Sequence, residues 1–308
     1  MLEIGPAGTF NVVMKAKMQK RVIFGSVMIV LFGAALYGDW ALDQSRPDSP
    51  LQMLPTTAVL LLLLACGYRE LAKMASSAGI RLLHVSGVLS VLALAGIPYW
   101  QRFAAKCLPC VMGGGACDVF AIVLFLSLAA VLGEQMARYR TERTFQQVGA
   151  TMLAIVYLGL GGYFILSIRT LGVPVLVAFL VAVKFTDIGA YFTGSAVGKH
   201  KIIPWLSPGK SWEGLAGGLV LGAGASVLVI HLLAADYAAS WSTVAWGLAL
   251  GACGQVADMC ESLLKRSASL KDSGAVVPEF GGVLDIIDSP LLAAPVAMIL
   301  VGLLTTAA

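Results

Sequence analysis

"GATMLAIVYLGLGGYFILSIRTLGVPVLVAFLVAVKFTDIGA", Gly149 to Ala190, consists of two apolar runs parted by the short stretch Arg169 to Gly172. Its only charged residues are Arg169, Lys184 and Asp187. A helix needs about 17 to 25 apolar residues to cross a bilayer, and the runs 149–168 and 171–195 both reach that length. Lipid offers the backbone no hydrogen-bond partner, so such a segment satisfies its own N–H and C=O groups as a helix. The stretch predicts two successive membrane-spanning helices, with an acid set into the second.

The same pattern recurs near 22–38, 56–72, 80–98, 117–133, 213–233, 240–260 and 289–307, which brings the count to about nine. Of the 308 residues, 58% are hydrophobic and 12% charged, and the mean hydropathy is +0.86. A soluble domain carries about a quarter charged residues. The expected fold class is an all-α, polytopic integral membrane protein of about nine transmembrane helices. The first span follows "MKAKMQKR" and lacks a small-residue cleavage site, so it reads as an anchor.

Lysine and arginine set the expected orientation, because they accumulate in cytoplasmic loops. With the N-terminus inside, that side receives Lys15, Lys17, Lys20 and Arg21, then Arg69, Lys73 and Arg81, then Arg138, Arg140 and Arg143. It also receives Lys199, Lys201, Lys210, Lys265, Arg266 and Lys271, whereas the other side holds only Arg46, Arg102, Lys106 and Arg169. The chain divides into N-terminal transmembrane helices (1–148) and a C-terminal transmembrane catalytic region (149–308), with cytoplasmic loops at 196–212 and 261–288. Cys107, Cys110 and Cys117 fall in a loop expected outside, where a disulfide is allowed; a structural or incidental role is favoured over redox chemistry.

Polar chemistry gathers after residue 184. Asp187 interrupts an apolar span, and an ionisable group at that depth is a functional candidate by default. Lys184 lies at i, i+3 on the same helix face, so a self-neutralising pair is the plainer reading. "GSAVGK" misses the GxxxxGK[ST] spacing of a P-loop. "SPGKSWEG" supplies hydroxyls from Ser207 and Ser211 and a cation from Lys210. Ser211, Glu213 and Gly214 there resemble a helix start, which presents free N–H groups to an anion.

The second concentration is "ESLLKRSASLKDSGAVVPEFGGVLDIIDSP", Glu261 to Pro290. Asp258, Ser262, Lys265 and Arg266 recur at i, i+4, i+7 and i+8, one stripe of a helix. An acid, a hydroxyl and two cations on one stripe suit a metal–phosphate site. Lys271-Asp272 follows in a loop, then Gly281-Gly282, which lets backbone approach a ligand closely. Asp285 and Asp288 share a face if helical, and Ser289-Pro290 resembles an N-cap and first position of the last span. The competing reading is a solvated loop whose lysines only set topology. An ordinary tether, however, has no need of Asp258 inside an apolar span.

These residues resemble the phosphatidate cytidylyltransferase (CDP-diacylglycerol synthase) family. The resemblance is carried by Asp258-Met-Cys-Glu261-Ser262, Lys265-Arg266, Lys271-Asp272-Ser-Gly274, Pro278, Gly281-Gly282, Asp285 and Asp288, and upstream by "DIGAYFTG" and "SPGKSWEG". It covers about 180–292. Three positions depart from the family pattern: Ser267 replaces an Asp or Asn, Phe280 a His, and Ile286 an Arg.

The resemblance implies a CTP-dependent lipid nucleotidyltransferase that makes CDP-diacylglycerol and pyrophosphate from CTP and phosphatidic acid. It implies Asp258, Asp285 and Asp288 around Mg²⁺, with Asp187 as a neighbour and a second, monovalent cation as an open addition. Lys265, Arg266 and Lys271, with Asp272 and Ser262, form the implied catalytic group. Ser207, Lys210, Ser211, Glu213, Gly281 and Gly282 form the implied substrate-binding group. The expected partners are CTP, phosphatidic acid and membrane lipid, with a homodimer as the candidate assembly and no nucleic acid. The expected location is the cell membrane, with the site on its cytoplasmic face. The alternatives are a transferase for another lipid or polyprenyl phosphate, a catalytically degenerate homologue, and a transporter whose acids bind cations. A transporter favours broken helices in two matching halves, and no such repeat is visible.

Overall fold

A computed structural model describes residues 30–46, 49, 51–107, 116–233, 241–270 and 282–302. They form helices α1 (30–45), α2 (Leu54–Ser77), α3 (His84–Cys107), α4 (Ala116–Arg138), α5 (Thr144–Ala154) and α6 (Gly161–Thr170). α7 (Val173–Val197), α8 (Trp212–Leu233), α9 (Trp241–Ser267) and α10 (Leu284–Ile299) complete the set. A π-helical segment, Ile155–Leu160, joins α5 to α6. Among the described residues the only strand-like pairing is an isolated bridge between Lys201 and Ser211.

Four helical stretches are long and apolar enough to cross a membrane: Val119–Arg138, Thr144–Thr170, Val173–Val197 and Trp212–Leu233. They match four of the nine expected spans, including the two in the opening quotation. α2, α3 and α9 are as long, but polar and charged side chains dilute them, and α10 has only 16 residues with Pro290 and Pro295 inside. Residues 22–29 of the first expected span lie outside the described residues, and 30–38 belong to α1; Cys110 and the side chains of Cys107 and Cys117 also lie outside them.

Small residues bring α7, α8 and α9 together. Gly214, Gly218 and Gly222 make one stripe of α8 against α7, and a Cβ added at Gly218 would meet the Thr186 carbonyl at 2.5 Å. Gly251 lets α9 approach the same Thr186, where an added Cβ would collide with the hydroxyl. Lipid tails are as apolar as leucine, so helices in a bilayer gain from this close approach rather than from burial alone. α10 contacts α9, α6, α7 and α2. One core cluster accordingly runs from Leu64 and Leu94 through Leu158 and Phe179 to Leu250 and Leu291.

Two buried ionic groups fasten this arrangement. Arg169, at the end of α6, donates from Nε to Asp39 at 2.9 Å and from Nη2 to Asp43 at 2.8 Å. This ties α1 to α6 and neutralises an arginine that is only 2% exposed. The second group corrects an expectation. Ser289-Pro290 does not open the last helix; α10 begins six residues earlier, with Val283 at the N-cap and Leu284 first. Its cap comes from α2, where the buried Glu70 carboxylate accepts the N–H groups of Val283 at 2.9 Å and Leu284 at 2.8 Å. A carboxylate at a helix N-terminus satisfies orphan donors and complements the helix dipole.

Candidate active site

The C-terminal part of α7, the α7–α8 connection, the starts of α8 and α10, and the far half of α9 enclose a cavity of about 670 Å³. The connection is held in shape before it can hold a ligand. Lys201 and Ser211 pair across it, Ile202 N–H donates to the Lys210 carbonyl, and Trp212 N–H donates to that of His200. Glu213 accepts the backbone N–H groups of Lys199 and His200 and pairs with the His200 ring at 2.6 Å. Ser211 is buried and its Oγ accepts Gly214 N–H at 3.1 Å, so it caps α8. The resulting loop carries Ser207 and Lys210 into the cavity.

The floor is acidic. Asp258, Glu261 and Asp288 bring carboxylate oxygens within 4.8 Å of one another. Like charges at that separation repel by on the order of a few kcal/mol per pair at a protein's effective dielectric. Lysines offset part of this. Lys210 reaches Asp258 at 2.7 Å and the Gln255 carbonyl at 3.0 Å, and Lys265 is gripped by Glu261 at 2.5 Å and Asp285 at 2.9 Å. One oxygen of Glu261, Oε1, is buried without a hydrogen-bond partner. Such an orphan is costly, and a cation set among three carboxylates is what would satisfy it. The donor set is all oxygen, which suits a hard divalent ion such as Mg²⁺.

Burial alone would favour neutral Lys265, but the Glu261 and Asp285 carboxylates outweigh it and hold its ammonium above the ordinary lysine range. Burial likewise raises Asp285, but the Glu261 carboxyl, the Gly282 N–H and the Lys265 ammonium hold it below the usual carboxylate value. Lys265 therefore keeps its charge across the neutral range.

Asp187, Asp258, Asp285, Asp288, Ser207, Lys210, Ser211 and Lys265 all line the cavity. Asp285 is not one of the trio: one of its oxygens takes Lys265 and the other takes Gly282 N–H at 2.6 Å, although the Glu261 carboxyl lies against it. Glu261 fills the third place in the trio instead. Arg266 is exposed and turns its guanidinium toward the Leu270 carbonyl at 3.5 Å. Ser262 does not line the cavity, and Glu213 serves the loop rather than the cavity wall. Lys271, Asp272, Gly281 and Phe280 lie outside the described residues. The other two departures are away from the cavity: Ile286 packs against the core, and the Ser267 hydroxyl donates to the Leu264 carbonyl. Beyond the expected residues the cavity also takes in Lys184, Lys201, Gln255 and Glu261. Glu261 had a signal, since it lies three residues from Asp258 and four from Lys265.

A model of the Cytidylyltransferase family matches residues 19–304. The chain belongs to this family. Among the relatives of this cytidylyltransferase chain is the phosphatidate cytidylyltransferase of Bacillus subtilis (strain 168), 35% identical over 190 residues, which are 60% of this chain and 67% of the relative. That of Staphylococcus haemolyticus (strain JCSC1435) is 29% identical over 82% of this chain and 92% of the relative. That of Staphylococcus saprophyticus subsp. saprophyticus is 31% identical over 72% and 81%. The cytidylyltransferase match takes in every helix that builds the cavity.

Proposed function

We propose that this chain is a phosphatidate cytidylyltransferase, converting CTP and phosphatidic acid to CDP-diacylglycerol and pyrophosphate in phospholipid biosynthesis. One observation carries this reading. An acidic trio and the lysines 184, 201, 210 and 265 share one cavity in a membrane-type helical chain of the cytidylyltransferase family.

An oxygen of the lipid phosphate attacks the α-phosphorus of CTP. As that P–O bond forms, the bond from the α-phosphorus to the α,β-bridging oxygen breaks, and its electron pair leaves with pyrophosphate. Chemistry of this kind depends on positioning and charge neutralisation. A phosphate monoester has a second pKa of about 6, so the acceptor is already ionised and no strong general base is needed. Lys265 stays charged between Glu261 and Asp285 beside the trio. Lys201, Lys210 and Ser207 present a cationic, hydrogen-bonding rim for the triphosphate, next to the start of α8. Lys271 joins them on its place in the family motif. Asp258, Glu261 and Asp288, with Asp187 beside them, are the residues that would hold Mg²⁺, with or without a monovalent companion. When bound, the ion supplies charge neutralisation along the triphosphate.

The reading extends to a multi-pass protein of the cell membrane with nine spans, a cytoplasmic N-terminus, both basic loops on the cytoplasmic face, and a homodimeric assembly. The lysine and arginine asymmetry supports the orientation. Two measurements test the whole. Purified protein given CTP, Mg²⁺ and a panel of lipid phosphates is expected to release pyrophosphate fastest with phosphatidic acid. Preference for a polyprenyl phosphate would change the acceptor, and no release with any lipid would end the reading. In a background without native cysteines, His200→Cys and Ser267→Cys, both at exposed positions, are expected to react with an impermeant maleimide only after permeabilisation. Labelling in intact cells would reverse the topology.

A further inference from the structure

Among the described residues, Lys184 is the cavity lysine that stands on an apolar, membrane-crossing helix. Lys201 and Lys210 belong to the α7–α8 connection, and Lys265 to the far end of α9. Along α7 the cavity is lined by Lys184, Asp187, Ala190, Tyr191, Gly194 and Ser195, one face of the helix. At 1.5 Å per residue, Lys184 lies roughly 16 Å along the axis from Ser195. The cavity thus runs from the connection toward the middle of α7.

The same part of α7 is open on its apolar side. Phe185, Ile188 and Phe192 are exposed, and Tyr191, which also lines the cavity, is 72% exposed. Exposed aromatic and aliphatic side chains on a membrane-crossing helix face acyl chains. At Tyr191 the cavity wall is therefore continuous with the lipid-facing surface.

Lys184 is also held more loosely than Lys210 and Lys265. It stands 3.6 Å from Asp187 with 36% of its side chain exposed. The other oxygen of Asp187 takes a hydrogen bond from Gln255 at 2.7 Å. Lys210 and Lys265 each make contacts of 3.0 Å or less to two groups. A charge at bilayer depth costs roughly 2.5 to 3.5 kcal/mol, and a shared carboxylate offsets only part of that. An anion brought in by a ligand would complete the offset.

In-line displacement places the attacking and leaving oxygens on opposite sides of the α-phosphorus. With Lys201, Lys210 and Ser207 at the connection end for the departing pyrophosphate, the attacker belongs at the other end. We propose that Lys184 binds the phosphate of the lipid acceptor, which enters sideways from the bilayer past Tyr191. This rests on the cytidylyltransferase reading above and assigns one of its two substrates to a residue. The contact is a charge-assisted hydrogen bond, with the ammonium donating to a phosphate oxygen.

The test compares wild type, Lys184→Met and Lys184→Arg in mixed micelles, varying the surface fraction of phosphatidic acid and the CTP concentration separately. Lys184→Met is expected to raise KM for phosphatidic acid about tenfold or more and leave KM for CTP within about twofold. Lys184→Arg keeps the charge and is expected to stay near wild type for both. Should Lys184→Met fail to purify folded, Lys184→Gln is read in the same way. A merely structural role would not split the two KM values. An unchanged KM for the lipid, or an equal or larger rise for CTP, overturns the assignment of Lys184 and leaves the enzyme reading standing. Wild type that forms no CDP-diacylglycerol overturns both.

Discussion

Asp288→Asn is expected to lower CTP-dependent pyrophosphate release about a thousandfold, close to 4 kcal/mol of barrier, while leaving the fold intact or firmer. Asp288 is 2% exposed at the start of α10, in the trio with Asp258 and Glu261. Its Oδ1 accepts the Ser289 hydroxyl at 3.2 Å, a bond that an asparagine oxygen can also accept. The amide is nearly the same size, so no cavity forms, and removing one of three clustered charges relieves repulsion. The combined signature is loss of turnover with an unchanged or higher melting temperature in chelator. Asp285→Asn is the informative comparison. That carboxylate positions Lys265 and takes Gly282 N–H rather than joining the trio, so a smaller loss, about ten- to a hundredfold, is expected. Near-normal release by Asp288→Asn at saturating Mg²⁺ would remove the trio from the mechanism.

What was legible in the sequence was whatever broke an apolar pattern. Asp187 and Asp258 stand out because a charge inside an apolar run has to be explained locally, and both line the cavity. The spacing of Glu261 was visible, but its burial was not. Beside Lys265 at i, i+4 it reads as an ordinary surface pair, and only the packing of α9 against α10 buries it to 1% exposure. Arg266 shows the opposite limit. On an α-helix of 3.6 residues per turn, seven residues from Asp258 fall about 20° short of two turns, whereas eight overshoot by about 80°. Lys265 therefore faces the cavity and Arg266 faces away. The number of spans was blurred for a related reason. α2, α9 and α10 bury Glu70, Gln255, Glu261 and Asp288 against other helices, and composition along one segment does not say whether its neighbour is lipid or protein. The start of α10 was misread because its cap lies 213 residues away in the chain.

That distant cap carries the second large effect. Glu70→Ala is expected to destabilise the protein by about 3 kcal/mol, because it strands two buried N–H groups at roughly 1 to 3 kcal/mol each. For a chain of this size that corresponds to a fall in melting temperature of about 5 °C. Activity is expected to fall with it. Val283 and Leu284 are the residues whose N–H groups Glu70 holds, and the next turn carries Asp285 and Asp288 into the cavity. A frayed α10 start would move both carboxylates together, lowering kcat even well below the melting transition. Glu70→Gln separates capping from charge: its amide oxygen still accepts one N–H, but the amide nitrogen faces the other donor and the favourable charge at the helix start is gone. The expected order in melting temperature and in kcat is wild type, then Gln, then Ala. Glu70→Ala that melts and turns over like wild type would mean that α10 is placed by its apolar packing alone, and that the α2 carboxylate has no part in holding the site.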